Sequence, residues 1–148
     1  MTTTATRTAS GFTDAERAAM KARAEELKTS GRGGKKKADE AQACLDAIAA
    51  MPDEDRLLAE RIHAVVAAQA PDLTPKTWYG MPAYANGEGK VVCFFKNASK
   101  FGARYATLGF TDSTNLDDGN LWPTEYAVSA LGPDEVARLE ELVRRAVS

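Results

Sequence analysis

The stretch Lys90-Val91-Val92-Cys93-Phe94-Phe95-Lys96 is apolar at five consecutive positions and closed by a lysine at each end. β-Branched and aromatic side chains favour extended backbone, and a run apolar at every position needs cover on both faces. It therefore reads as a central strand. Period-two geometry sends Val91, Cys93 and Phe95 to one face and Lys90, Val92, Phe94 and Lys96 to the other. Upstream, Asn86-Gly87-Glu88-Gly89 has tight-turn chemistry and joins this strand to one beginning at Ala83-Tyr84. Thr77-Trp78-Tyr79 reads as a further short strand, with Pro71 and Pro75 bracketing the entry into the sheet. Downstream, Arg104-Tyr105-Ala106-Thr107-Leu108 alternates as a strand should, and Tyr126-Ala127-Val128 reads as a last edge strand after the loop from Thr111 to Pro123.

Helical patterns flank this sheet region. Thr13-Asp14-Ala15-Glu16 has the form of a capping box and opens a helix from Ala15 to Lys28. Its stripe of Met20, Ala24 and Leu27 is thin, which predicts weak, peripheral packing. Ser30 to Lys37 reads as a flexible charged linker. A second helix is expected from about Asp39 to Ala50, with Cys44, Leu45 and Ile48 inward, and a third from Asp53 to Gln69, with Leu58, Ile62, Val65 and Val66 inward. Its acidic start at Asp53, Glu54 and Asp55 suits the helix dipole. Gly132-Pro133-Asp134 starts a terminal helix whose stripe is Val136, Leu139, Leu142 and Val143. The expected fold is α+β: an antiparallel sheet of about five strands packed against N-terminal and C-terminal helices. The expected division is a basic arm with one helix over residues 1–37 and an α+β domain over 38–148.

Composition narrows the function classes. The net charge of −2 argues against a strongly basic nucleic-acid binder. Residues 1–37 nevertheless carry nine Lys/Arg against four Asp/Glu, a net +5, while residues 38–148 carry ten against seventeen, a net −7. Such an arm is a weak hint of polyanion contact and equally a common solubility device. Two cysteines make no disulfide framework; Cys44 and Cys93 read as small buried hydrophobes in a reducing, cytoplasmic setting. No apolar run approaches the roughly 20 residues that span a bilayer. The lone histidine, His63, excludes histidine-based triads and two-histidine metal sites and reads as a surface or boundary residue. Gly31-Arg32-Gly33-Gly34-Lys35 lacks the spacing and preceding strand of a phosphate loop. No nucleophile–base pair can be assembled, so an enzyme is not expected.

Two groups of residues remain as candidates. Asp112, Asp117 and Asp118 share one loop with Glu125, and clustered oxygens suit hard cations, although Asp-Asp-Gly is also an ordinary turn. Aromatic residues gather in the second half of the chain. An apolar sheet face rimmed by Lys90, Lys96 and Arg104 or Tyr105 would make a recess for a small anionic or aromatic ligand, with Trp78, Tyr84, Phe94 and Trp122 as further candidates. Plain core with snorkelling lysines is the alternative. An exposed aromatic face carrying Trp78 and Trp122 would instead serve a protein partner or a second copy of the chain.

The segments Pro75-Lys76-Thr77-Trp78-Tyr79-Gly80-Met81-Pro82-Ala83-Tyr84, Gly89-Lys90-Val91-Val92-Cys93-Phe94-Phe95, Tyr105-Ala106-Thr107-Leu108-Gly109-Phe110 and Leu116-Asp117-Asp118-Gly119-Asn120-Leu121-Trp122-Pro123-Thr124 together resemble the DUF1801 family. That family is also called YdhG-like and is grouped with frataxin-like iron chaperones. The resemblance covers about residues 40–147 and leaves the basic N-terminal helix outside. It implies an antiparallel sheet flanked by helices, intracellular Fe(II) binding, and delivery to an iron–sulfur or haem assembly partner. Weak, acidic, exposed iron sites would fall on the Asp53–Asp55 acids or on the Asp112–Asp118 loop.

Overall fold

The computed structural model of the protein describes residues 12–29 and 34–148. Its elements run α1 (Asp14–Thr29), α2 (Gly34–Ala49), α3 (Asp53–Gln69), β1 (Thr74–Trp78), β2 (Met81–Ala85), β3 (Val91–Lys96), α4 (Ala98–Phe101), β4 (Ala106–Phe110), β5 (Glu125–Val128) and α5 (Pro133–Val147). The five strands form one antiparallel sheet in sequential order, β1-β2-β3-β4-β5, so the expected α+β class holds. β3 lies in the middle, as its unbroken apolar run requires. β5 is an edge, as its short, half-exposed sequence requires.

The register fixes the two faces. Tyr84 pairs with Cys93, Cys93 with Phe110, and Phe95 with Leu108. These side chains join Cys44, Ile48, Ile62, Val66, Leu139 and Val143 of the helices in one core. On the other face Ala83 pairs with Phe94 and Phe94 with Gly109. The Phe94 ring lies directly over Gly109, where any β-carbon would collide with it. Thus a glycine inside β4 is there for a close ring approach.

Local signals account for most element ends. The capping box forms: Glu16 N–H donates to Thr13 Oγ1 at 3.1 Å and Thr13 N–H to Glu16 Oε1 at 3.0 Å. At the β2–β3 turn, Asn86 Oδ1 accepts from Glu88 N–H and Lys90 N–H at 3.0 and 3.1 Å. Gly132 N–H donates to Glu135 Oε1 at 2.9 Å at the start of α5.

Several expectations need correction. Tyr79 is not a strand residue: it forms, with Gly80, a two-residue β1–β2 turn with φ 53° and 77°. α2 begins at Gly34, so Gly34 to Lys37 are helical where a linker is expected; residues 30–33 lie outside the described residues. Leu45 is exposed, and α2 buries Cys44 and Ile48 alone from its expected stripe. The α1 stripe is also turned outward, with Met20 39% and Leu27 58% exposed. α1 instead presents Ala15, Ala19, Ala22, Arg23 and Glu26 to the body, positions that share a helical face. Alanines permit the close approach, and Glu26 supplies a polar contact to the β1–β2 turn. A short helix, α4, follows β3 and was not expected from the sequence.

Candidate functional site

A half-open cavity of about 500 Å³ lies between the first half of α3, the α4 hook, the start of β4 and the chain leaving β5. Its charged and aromatic lining is Arg61, Arg104, Tyr105, Glu54 and Asp55, and Leu57, Leu58, Val128 and Leu131 supply apolar wall. The volume falls in the usual range for small-molecule sites.

The local sequence explains how this lining is held. Asp55 is an acid on the inward face of α3, in register with Ala59 and Ile62, and is only 5% exposed. Its Oδ2 accepts from Asn97 Nδ2 at 3.3 Å and from Ser99 N–H at 3.2 Å. Asp55 lies with Asp53 and Glu54 in the first turn of α3, as expected for the helix dipole, and it also pins α4 to α3. Gly102 then takes the left-handed conformation (φ 62°) and Ala103 N–H closes α4 by donating to Ala98 O at 3.0 Å. This reversal delivers Arg104 and Tyr105 to the cavity mouth, where the Arg104 guanidinium sits 5.0 Å from the Tyr105 ring centroid. Among the described residues neither Arg61 nor Arg104 forms an ion pair, whereas Arg56 pairs with Asp53 at 3.1 Å on the solvent side of the same helix.

The candidate ligand residues do not converge as one recess. Arg104 and Tyr105 share the cavity. Trp78 and Phe94 meet elsewhere, with ring centroids 5.2 Å apart on the opposite sheet face, and Tyr79 lies 5.1 Å from Trp78. Lys90 is exposed near the β2–β3 turn, 4.0 Å from Glu88. Trp122 packs from the β4–β5 loop onto the core, and among the described residues it makes no ring contact with Trp78. Asp112, Asp117 and Asp118 are exposed, and among the described residues no group of three or more His, Cys, Asp or Glu side chains is placed to hold a metal ion. No helix among them is long and apolar enough to cross a membrane.

Tyr84 belongs to the core, as a buried polar group rather than a wall of the cavity. Its hydroxyl lies 2.9 Å from His63 Nδ1. Burial raises the Tyr84 phenol and pushes the thiols of Cys44 and Cys93 up to about 11 and 12, so both cysteines stay as thiols and behave as small apolar residues, as their sequence context suggests. Burial lowers the pKa of His63 below its ordinary 6.5. With its proton on Nε2, neutral His63 accepts at Nδ1 from the Tyr84 hydroxyl, and protonation of Nδ1 abolishes that acceptor. The unfolded chain takes up the proton first as pH falls, so the linkage sign is positive: stability is full above pH 6.5 and declines as pH drops below it towards the lowered folded-state value. Urea melts at pH 7.5 and 5.5 are expected to show this loss, and His63→Gln to reduce it; an unchanged pH dependence in the variant would remove His63 as the cause.

Arg61, Asp55 and Glu26 escape a reading by periodicity. Asp55 alone carried a signal, a carboxylate at an inward position of an otherwise apolar stripe. Compared with known proteins, the chain matches no protein-family model, no curated protein and no solved structure.

Proposed function

We propose that the protein binds a small anionic ligand in the cavity between α3, α4 and the β4–β5 end of the sheet. The observation that carries this reading is the placement of Arg61 and Arg104, neither paired with a carboxylate among the described residues, on the lining of one cavity beside Tyr105. Guanidinium groups are planar donors suited to carboxylate and phosphate oxygens, and the stacked Tyr105 ring holds Arg104 in orientation. The leucine and valine wall fits an apolar body behind the anionic head. Glu54 and Asp55 in the same lining balance the formal charge of the two arginines, which favours a singly charged head over a multiply charged one. The ligand class is thus a small carboxylate with a planar or apolar body.

Titration with benzoate, followed through the amide and guanidinium signals of Arg61, Arg104 and Tyr105, tests the reading. Saturable shifts confined to the cavity are expected. Arg104→Ala should weaken binding by roughly 10- to 100-fold, the loss of one charge-assisted contact of about 1.5–3 kcal/mol. Inorganic phosphate should bind more weakly than benzoate. Absence of saturable shifts with either probe, in a folded protein, would remove the cavity as a binding site.

A further inference from the structure

The β1–β2 turn carries a second, independent arrangement. Tyr79 and Gly80 both have positive φ, 53° and 77°, the pattern of a type I′ hairpin turn. Glycine adopts that conformation freely; tyrosine does so at a cost of about 1 kcal/mol or more. Trp78 pairs with Met81, so Tyr79 and Gly80 form the tip of the hairpin beyond the strand ladder. The two successive N–H groups of the tip face one carboxylate. Tyr79 N–H donates to Glu26 Oε1 and Gly80 N–H to Glu26 Oε2, each at 3.0 Å. Successive backbone donors of this kind form an anion-binding concavity. Here one donor meets each oxygen, the geometry a carboxylate fits.

The surroundings belong partly to the sheet and partly to α1. Lys100 of α4 reaches Gly80 O at 3.4 Å, so a cation stays at the turn whatever α1 does. The Trp78 and Tyr79 rings form an aromatic wall. From α1 itself, Arg23 lies 3.6 Å from Glu26 and 5.8 Å from the Tyr79 ring centroid. Among the described residues, Arg23 Nη1 is sealed from solvent without a hydrogen-bond partner. The apolar share of α1 docking is small: Ala19 is buried, while Met20 and Leu27 face solvent. With little apolar burial, polar contacts such as that of Glu26 carry a larger share of α1 docking.

We propose that the Tyr79–Gly80 turn is a carboxylate-binding site which α1 fills in cis through Glu26, and that its ligand in trans is a glutamate or aspartate side chain on an acidic peptide segment of another protein. α1 is then a displaceable cover. Tethering raises its local concentration at the turn, so a competing segment has to bind more tightly than Glu26 does or act when α1 is drawn away. This site is separate from the Arg61–Arg104 cavity and stands or falls independently of it.

A synthetic peptide of residues 12–29, with four acidic and four basic side chains, serves as the probe that carries the Glu26 carboxylate. It is titrated into the full isotope-labelled chain carrying Glu26→Ala, and the Tyr79 and Gly80 amide signals are followed. The expected result is a saturable shift of both amides. The same peptide with Glu26→Gln should bind at least 10-fold more weakly, and the wild-type chain, whose turn is already filled, should respond at least 10-fold more weakly than the variant. Glu and Gln peptides binding alike, or Tyr79 and Gly80 signals that do not move, would overturn the proposal. Should the variant fail to fold, the unmodified chain gives the same decision. Excess Glu peptide must then shift the chain's own Ala19 and Ala22 signals towards an undocked helix while the Gln peptide does not, and identical behaviour of the two peptides sinks the idea.

Discussion

Phe95→Ala is expected to lower the unfolding free energy by about 3–5 kcal/mol, and Phe94→Ala by only about 1–2 kcal/mol. The two phenylalanines are neighbours in β3, yet the pleat sends them to opposite faces. Phe95 is 0% exposed and packs into the core shared with α3 and α5, so removing its ring leaves a cavity that rigid neighbours cannot close. Phe94 is half-buried on the other face, where its ring covers Gly109 and touches Trp78 at 5.2 Å between centroids. Solvent fills much of the space that its loss would open. Urea denaturation of both variants measures the difference directly. Equal losses would mean that the second face is as tightly covered as the first, and the account of which side of the sheet is core would be wrong.

That contrast was legible in the chain because it follows from local rules. Five apolar residues between two lysines demand a central strand. Period two then sorts Cys93 and Phe95 from Phe94 without any knowledge of what packs against them. The Asn86–Gly89 turn, the Thr13–Glu16 capping box and the α5 stripe are legible for the same reason: each is decided within a few residues. Tyr79 marks where this stops. Aromatic residues favour strands, and only the demand of a two-residue turn, together with the Glu26 carboxylate from 53 positions away, holds Tyr79 at positive φ.

The candidate site was legible only in part. The alternating pattern puts either Arg104 or Tyr105 at the rim of a sheet-face recess; both line the cavity, and that sheet face is not its wall. The cavity is built from α3 and the α4 hook, and a four-residue helix leaves almost no periodic trace. Arg61 looks like any solvent-facing arginine on an amphipathic helix until the hook brings Arg104 to the same cavity. α1 shows the converse error. Its larger apolar residues suggest the docking stripe, whereas alanines, Arg23 and the Glu26 carboxylate face the body.

Asp55→Ala is expected to cost about 2–4 kcal/mol, the largest effect of any polar substitution considered. Asp55 is 5% exposed, and its partner Asn97 is 4% exposed. Truncation leaves the buried Asn97 amide without the carboxylate oxygen it donates to, and the Ser99 N–H loses the same acceptor at the edge of the cavity. An unmet buried donor costs its full desolvation, which is why removing one partner is worse than the modest net worth of the bonds it made. Asp55→Asn keeps the shape and one acceptor oxygen and should recover about half of the loss. Thermal and urea melts of the two variants report the stability term. Benzoate titration of the fraction still folded reports a second one: α4 is pinned through Asp55, and the Gly102 reversal that follows α4 delivers Arg104, so the alanine variant should bind benzoate more weakly even where it remains native. A variant that loses stability but binds with unchanged affinity would separate the two, showing that Asp55 holds the fold together while Arg104 finds its place without it.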